Sequence, residues 1–137
     1  MSREGAAIIT NMLQGVINEG TGRKAKNLKL PVAGKTGTTD AYKDALFVGF
    51  SPSIAAGVWI GNDGFTTLGK WETGALAAMP IWVEFMAKAS VDTPYLYFDI
   101  PDNVVQKWID PLTGQLLENA SPKGVLALFL KDKTAGQ

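Results

Sequence analysis

The residues most able to do chemistry are grouped in one short stretch, Gly-Lys-Thr-Gly-Thr-Thr at residues 34–39. Lys35 offers a positive charge, and the hydroxyls of Thr36 and Thr38 offer hydrogen-bond donors, a combination that suits a carboxylate. Gly37 has no side chain, so a ligand can come close to the backbone there. The stretch therefore indicates a site for a peptide that ends in, or carries, a carboxylate.

Two other interpretations of this stretch exist. Gly-Lys-Thr also ends the phosphate-binding loop, whose pattern G-x-x-x-x-G-K-[ST] requires a glycine five residues before Gly34. That position is Lys29 here, Pro31 stiffens the approach, and Gly37 follows where a helix N-terminus should stand. Taken by itself, the triplet is also compatible with a surface turn that carries a lysine.

The carboxylate interpretation requires the stretch to lie at the edge of a sheet. Residues 30–39 are predicted to form a strand, and Pro31 cannot donate to a neighbouring strand. Strand alternation places the side chains of Thr36 and Thr38 on one side and that of Lys35 on the other. The free N–H and C=O groups of an edge strand can pair with an extended peptide.

The surrounding elements follow from apolar patterning. Helices are predicted over residues 4–19 and 73–89, with Thr73 as N-cap and a kink or true start near Pro80. Strands are predicted over residues 44–50 and 54–61, joined by a hairpin at residues 51–53. Both strands are almost continuously apolar, which favours a sheet covered on both faces. Five aromatic residues in these segments are predicted to lie in the core: Phe47, Phe50, Trp59, Trp82 and Phe85.

Composition excludes several classes of function. The 137 residues contain 13 Lys plus Arg and 13 Asp plus Glu, so no net charge attracts nucleic acid. There is no cysteine and no histidine, which excludes zinc fingers, thiol nucleophiles and a Ser-His-Asp relay. No cofactor and no metal are predicted. No apolar run approaches the roughly 20 residues of a membrane-spanning helix.

The chain resembles the class A, bifunctional penicillin-binding proteins. Lys-Thr-Gly belongs to the motif set of penicillin-binding proteins and class A β-lactamases. The ten residues Pro-Val-Ala-Gly-Lys-Thr-Gly-Thr-Thr-Asp at 31–40 are similar to that family's third-strand signature. Further resemblances follow in order along the chain: residues 12–22 before this strand, residues 44–52 and 57–63 in the next two strands, residues 72–82 in the last helix, and residues 109–114 in the tail.

The resemblance implies an α+β fragment of the transpeptidase fold and an enzyme that cross-links peptidoglycan by acyl transfer. It implies that Lys35 helps to hold the proton network and the substrate carboxylate, and that the hydroxyls of Thr36 and Thr38 bind that carboxylate. The backbone N–H of Thr38 would supply an oxyanion-hole donor. Lys35 and Thr38 are thus the predicted catalytic residues, and Thr36, Gly37, Thr38 and Thr39 the predicted substrate-binding residues.

The nucleophile of that family is missing from the sequence. None of the five serines has a lysine three residues later, and Ser-x-Asn is also absent. We therefore expect this chain to be a fragment that forms one wall of the cleft, with the serine lying upstream. The alternative hypothesis is a complete, non-catalytic module that captures peptides at its strand edge.

The remaining expectations concern organisation and partners. Residues 1–91 are predicted to belong to the transpeptidase domain, and residues 92–137 to form an extended tail with one small hairpin and a turn at 110–114. The implied partners are peptidoglycan stem peptides, lipid II-derived glycan strands, β-lactam antibiotics and the N-terminal remainder of the protein. The implied location is the periplasmic, extracytoplasmic face of the bacterial membrane, with the anchor outside this chain.

Overall fold

Residues 1–131, which the computed structural model describes, fall into two separately packed units. The first, here called the sheet unit, comprises Leu13–Phe98, and the second, the hairpin unit, comprises Met1–Met12 with the chain from Asp99. Helix α1, Arg3–Asn18, contributes residues to both and confirms the first predicted helix. The predicted domain division after residue 91 stays a prediction, and the last residues of the predicted tail, 132–137, lie outside the described part.

The sheet unit contains three antiparallel strands in the order β1-β2-β3, which are Ala33–Thr38, Asp44–Phe50 and Ala55–Gly61. All three strands were predicted, although β1 begins later than expected, after Pro31. A tight turn joins β2 to β3, because the Ser51 hydroxyl accepts hydrogen bonds from the N–H groups of Ser53 and Ile54. The predicted hairpin is therefore confirmed.

The last helix of the sheet unit begins in two steps. A π-helical turn spans Gly74–Ala78, and helix α2 runs over Met79–Ala89 with Pro80 in its first turn. Proline has no N–H to donate, so the first turn is where a helix tolerates it. Thr73 occupies the N-cap position, but its side chain makes no capping hydrogen bond. The helix start predicted near Pro80 is confirmed.

Helix α2 covers one face of the sheet. The Trp82 ring packs against Phe47 with ring centroids 4.9 Å apart, and its indole N–H donates to the Ala56 carbonyl at 3.0 Å. These contacts place α2 across β2 and β3. The four largest fully buried side chains of the described chain belong to this core: Trp82, Phe47, Met79 and Met86.

The opposite face of the sheet, here called the open face, is largely exposed within the sheet unit. Leu46, Val48 and Trp59 lie on it, and Trp59 is 59% exposed. The expectation of cover on both faces is therefore wrong for the sheet unit. The core assignments of Trp59 and of Phe85, which is 50% exposed on α2, are wrong as well. Phe47 and Trp82 are buried as predicted, and Phe50 is half-buried.

The hairpin unit pairs β4, Val104–Ile109, with β5, Val125–Leu130, in antiparallel register. Its small core contains Ala7 of α1 with Val104 and Leu128. The predicted turn after β4 forms, because the Asp110 carboxylate accepts hydrogen bonds from two backbone N–H groups of residues 112 and 113. Helices with antiparallel sheets confirm the α+β class.

No helix within residues 1–131 is both long and apolar enough to cross a membrane.

Candidate functional site

Strand β1 lies at an edge of the three-stranded sheet. Among the described residues it has one strand neighbour, β2. The Thr39 N–H donates to the Asp44 carbonyl at 3.1 Å, which makes this pair a hydrogen-bonded one. Hydrogen-bonded and non-bonded pairs alternate in an antiparallel ladder. The backbone N–H and C=O groups of Thr36 and Thr38 therefore point away from β2, towards the free edge.

The side chains of β1 alternate as the sequence predicted. Lys35 pairs with Val48 and lies on the open face of the sheet. Thr36 pairs with Phe47, and Thr38 pairs with Ala45, on the face that the helix covers. The strand thus presents a cation on one side, hydroxyls on the other, and free backbone groups between them.

The Lys35 ammonium group bends towards the free edge. Its Nζ atom donates to the Thr36 carbonyl oxygen at 2.9 Å, and the side chain is exposed. That carbonyl is one of the backbone groups that point away from β2. The positive charge of Lys35 therefore stands at the edge where an added peptide strand would lie.

Gly74 fixes the position of the Thr38 hydroxyl. Its N–H donates to Thr38 Oγ1 at 3.1 Å across 36 residues of sequence. A Cβ atom at Gly74 would lie 2.3 Å from the Leu46 carbonyl oxygen and 2.5 Å from that of Gly37, so only glycine fits. As Thr38 Oγ1 is the acceptor here, the Thr38 O–H proton stays free for a ligand.

Thr36 has a partner that sequence reasoning missed. Its Oγ1 lies 3.0 Å from Oγ1 of Thr21, a residue of the Gly-Thr-Gly link after α1. The sequence indicated only a flexible connection there, and no local pattern connects residues 15 positions apart. Hydrogen bonds therefore hold two of the predicted site residues in place: Thr21 of the link contacts Thr36, and Gly74 of the π-helical turn contacts Thr38.

Thr39 is engaged in the turn between β1 and β2. Its hydroxyl accepts from the Asp44 N–H at 2.8 Å and donates to the Asp44 carboxylate at 3.1 Å. The other carboxylate oxygen of Asp44 accepts from the Trp59 indole N–H at 3.1 Å. The Thr39 side chain thus stabilises the turn. Thr39 lies beside the free edge, but its hydroxyl is already hydrogen-bonded to Asp44.

An aromatic pair stands beyond the end of β1. Tyr42 follows the turn and its ring lies 6.5 Å from that of Trp71, a largely exposed residue. The Lys70 ammonium group lies 5.8 Å from the centre of the Trp71 ring, within cation–π range. Tyr42 and Trp71 both have positive φ angles, a strained conformation for residues with a Cβ.

Two known proteins with similar sequences have the same name. The chain is 41% identical to penicillin-binding protein 1A of Pseudomonas aeruginosa over 130 residues, which is 94% of this chain and 16% of that protein. It is 42% identical to penicillin-binding protein 1A of Rickettsia bellii over 113 residues, or 82% of this chain and 14% of that protein. The chain thus spans about a sixth or less of these relatives.

The fold agrees with the sequences. The crystal structure of penicillin-binding protein 1A from Haemophilus influenzae matches 95% of this chain and 20% of its own, with a TM-score of 0.83 and 33% identity. No protein-family model matches the chain. The predicted resemblance is nevertheless confirmed by shared sequence and shared fold, and the chain belongs to the family of penicillin-binding protein 1A.

Proposed function

We propose that this chain forms the Lys-Thr-Gly wall of the active-site cleft in a peptidoglycan D,D-transpeptidase. The observation that carries the proposal is the free edge of β1. The Lys35 ammonium group, the Thr38 hydroxyl proton and the backbone N–H groups of Thr36 and Thr38 all lie at this edge as hydrogen-bond donors. Donors and a positive charge at one edge suit an extended peptide that ends in a carboxylate.

The reaction would be acyl transfer in two steps. A serine of the full-length protein, outside this chain, attacks the carbonyl carbon between the two terminal D-alanines of a stem peptide. The C–N bond breaks, D-alanine leaves with a proton, and an acyl ester remains on the serine. The amine of a second stem peptide then attacks the ester, the C–O bond breaks, and a new amide cross-links the two strands.

Each of the predicted site residues has a role in this scheme. The Thr38 N–H would stabilise the oxyanion that forms on the attacked carbonyl, because it points towards the free edge. The hydroxyls of Thr36 and Thr38 would bind the terminal carboxylate, and Lys35 would attract it and help to move the serine proton. Gly37 leaves the open-face side of the strand bare, and Thr39 supports the turn that ends the strand.

The substrates, inhibitors and location follow from the same proposal. The partners are stem peptides on glycan strands derived from lipid II, the remainder of the same protein, and β-lactams, which would acylate the same serine. Peptidoglycan lies outside the cytoplasm, so the site would face the periplasm. No cofactor or metal takes part in this scheme.

Acylation of the full-length protein by labelled penicillin tests the proposal. Lys35→Met is expected to slow acylation by about 100-fold or more, the lower end of what a proton-transfer group contributes. Thr38→Val is expected to slow it by about 10- to 100-fold, the loss of one hydrogen bond to a charged group. Lys123→Met, which removes a charge from the hairpin unit, and Thr38→Ser, which keeps the hydroxyl, serve as controls with wild-type rates.

Normal acylation of the Lys35→Met and Thr38→Val proteins would refute these roles. A full-length protein that captures carboxylate-bearing peptides but is never acylated would instead support the second candidate, a non-catalytic peptide-binding module. The free edge of β1 favours peptide capture in both cases, and only covalent labelling separates the two.

A further inference from the structure

The link between α1 and the 3₁₀ helix Arg23–Leu28 is held tightly, although its Gly-Thr-Gly sequence indicates flexibility. The N–H groups of Gly20 and Gly22 both donate to the Val16 carbonyl, at 3.1 and 3.0 Å. The Arg23 guanidinium donates twice to the Glu19 carbonyl, at 3.1 and 2.7 Å. These bonds tie both ends of the link to the end of α1.

A side chain at either glycine of the link would force a neighbouring group to move. A Cβ atom at Gly20 would lie 2.9 Å from the Val16 carbonyl oxygen, and one at Gly22 would lie 2.7 Å from Cδ1 of Ile17. Thr21 stands between them as the link's only side chain. The link therefore holds one exposed hydroxyl at a fixed place beside β1, 3.0 Å from that of Thr36.

The hydroxyls of Thr21 and Thr36 have one proton that their mutual hydrogen bond does not use. Each threonine brings one O–H donor, and a single hydrogen bond between Thr21 and Thr36 uses one of the two protons. Neither hydroxyl has another hydrogen-bond partner within residues 1–131. If Thr21 donates to Thr36, the Thr36 proton is directed outwards, and consecutive hydrogen bonds in such a chain strengthen one another.

We propose that Thr21 is a positioning residue for the substrate carboxylate. Its hydroxyl donates to Thr36 Oγ1, which orients the Thr36 proton towards the carboxylate of the stem peptide or of a β-lactam. This inference rests on the proposed function and deepens it, because it adds a residue of the link to the wall formed by β1. A carboxylate only accepts hydrogen bonds, so it selects this direction of donation over the reverse.

The test compares acylation of the full-length protein by benzylpenicillin, which carries an ionised carboxylate, and by its methyl ester, which does not. Thr21→Val is expected to slow acylation by benzylpenicillin about 3- to 10-fold, the range for one lost neutral hydrogen bond, and to leave the rate with the ester unchanged. Thr21→Ala, which adds no new methyl contacts, should reproduce the loss. Thr21→Ser, which keeps the hydroxyl, should restore the wild-type rate.

A double-mutant cycle completes the test, because Thr21 acts through Thr36. In the Thr36→Val background, Thr21→Val should have no further effect on acylation. The proposal is overturned if Thr21→Val matches wild type with benzylpenicillin while Thr36→Val is slow, which would leave the proposed function intact. It is also overturned if both substrates slow equally, since that is the result of a purely structural role. A wild-type protein that is never acylated refutes the proposed function and this inference together.

Discussion

Gly74→Ala is the substitution that most directly tests how the last helix supports the site. The added Cβ atom would lie 2.3 Å from the Leu46 carbonyl oxygen and 2.5 Å from the Gly37 carbonyl oxygen. These two atoms belong to the backbone of paired strands and cannot rotate away as a flexible side chain would. The π-helical turn must therefore move off the sheet.

The size of the effect follows from that displacement. Ordinary carbon–oxygen contacts are longer by nearly an ångström, and overpacking of this kind costs about 1–3 kcal/mol. We expect the upper part of that range, because the obstacle is backbone on two strands. If the π-helical turn moves by about 1 Å, the 3.1 Å hydrogen bond from the Gly74 N–H to Thr38 Oγ1 is also lost, since hydrogen bonds do not extend beyond about 3.5 Å.

Two measurements on the full-length protein check this prediction. The Tm of Gly74→Ala should fall by about 2–4 °C for each kcal/mol lost in a domain of 150–250 residues. Acylation by penicillin should slow, because Thr38 loses its support. Gly57→Ala is the matched control: its Cβ would lie 3.5 Å from the Val48 side chain, an ordinary contact, so its stability should stay within about 0.5 kcal/mol of wild type. A Gly74→Ala protein with wild-type Tm and wild-type acylation would refute the steric argument.

Two further predictions concern stability and pH. Phe47→Ala, in the core, should cost about 3–5 kcal/mol, and Val48→Ala, half exposed on the open face, about 1 kcal/mol or less, so equal losses by chemical denaturation would contradict the assignment of faces. A hydrogen bond and the charge of Lys88 hold the pKa of Glu84 below its ordinary value of 4.5. A carboxyl whose pKa is lower in the folded state stabilises the folded protein at pH values above its unfolded-state pKa. This contribution is lost as the pH falls through the folded-state pKa. An NMR titration should therefore show the Glu84 pKa rising in Lys88→Met, and an unchanged pKa would exclude Lys88 as the cause.

The strands and the orientation of the site followed from local patterns. Apolar runs bounded by turn residues identified β2 and β3, and the period of two placed Lys35 opposite in direction to Thr36 and Thr38. Pro31 marked the approach to an edge strand. These features depend on residues a few positions apart, so the sequence carries them directly.

The supports of the site depend on contacts between distant residues. Thr21 meets Thr36 across 15 positions, and Gly74 meets Thr38 across 36. The sequence near each residue does not indicate its distant partner. Glycines are common in links and at helix starts because they suit turns, so their presence there does not point to a long-range contact. The structure shows why these positions are glycines: a side chain at Gly20 would meet Val16, and one at Gly74 would meet Gly37.

The wrong assignment of Trp59 has a similar cause. A continuous apolar run predicts a strand, but it does not show how much of the chain packs on each face. In β3 the residues alternate, and Trp59 lies opposite Leu46 on the open face. Its indole N–H donates to the Asp44 carboxylate, whereas the indole N–H of the buried Trp82 donates to a backbone carbonyl.

The arrangement of donors at β1 suits an anion better than a neutral peptide. Three separate elements hold the strand: the link at Thr36, the π-helical turn at Thr38 and the turn at Thr39. The Thr21–Thr36 pair and Thr38 each keep one hydroxyl proton that the holding contact does not use, and Lys35 already occupies the outward Thr36 carbonyl. The edge is thus rich in donors and poor in acceptors. A carboxylate satisfies several of these donors at once, whereas a neutral amide can accept from fewer and brings an N–H of its own that must be paired.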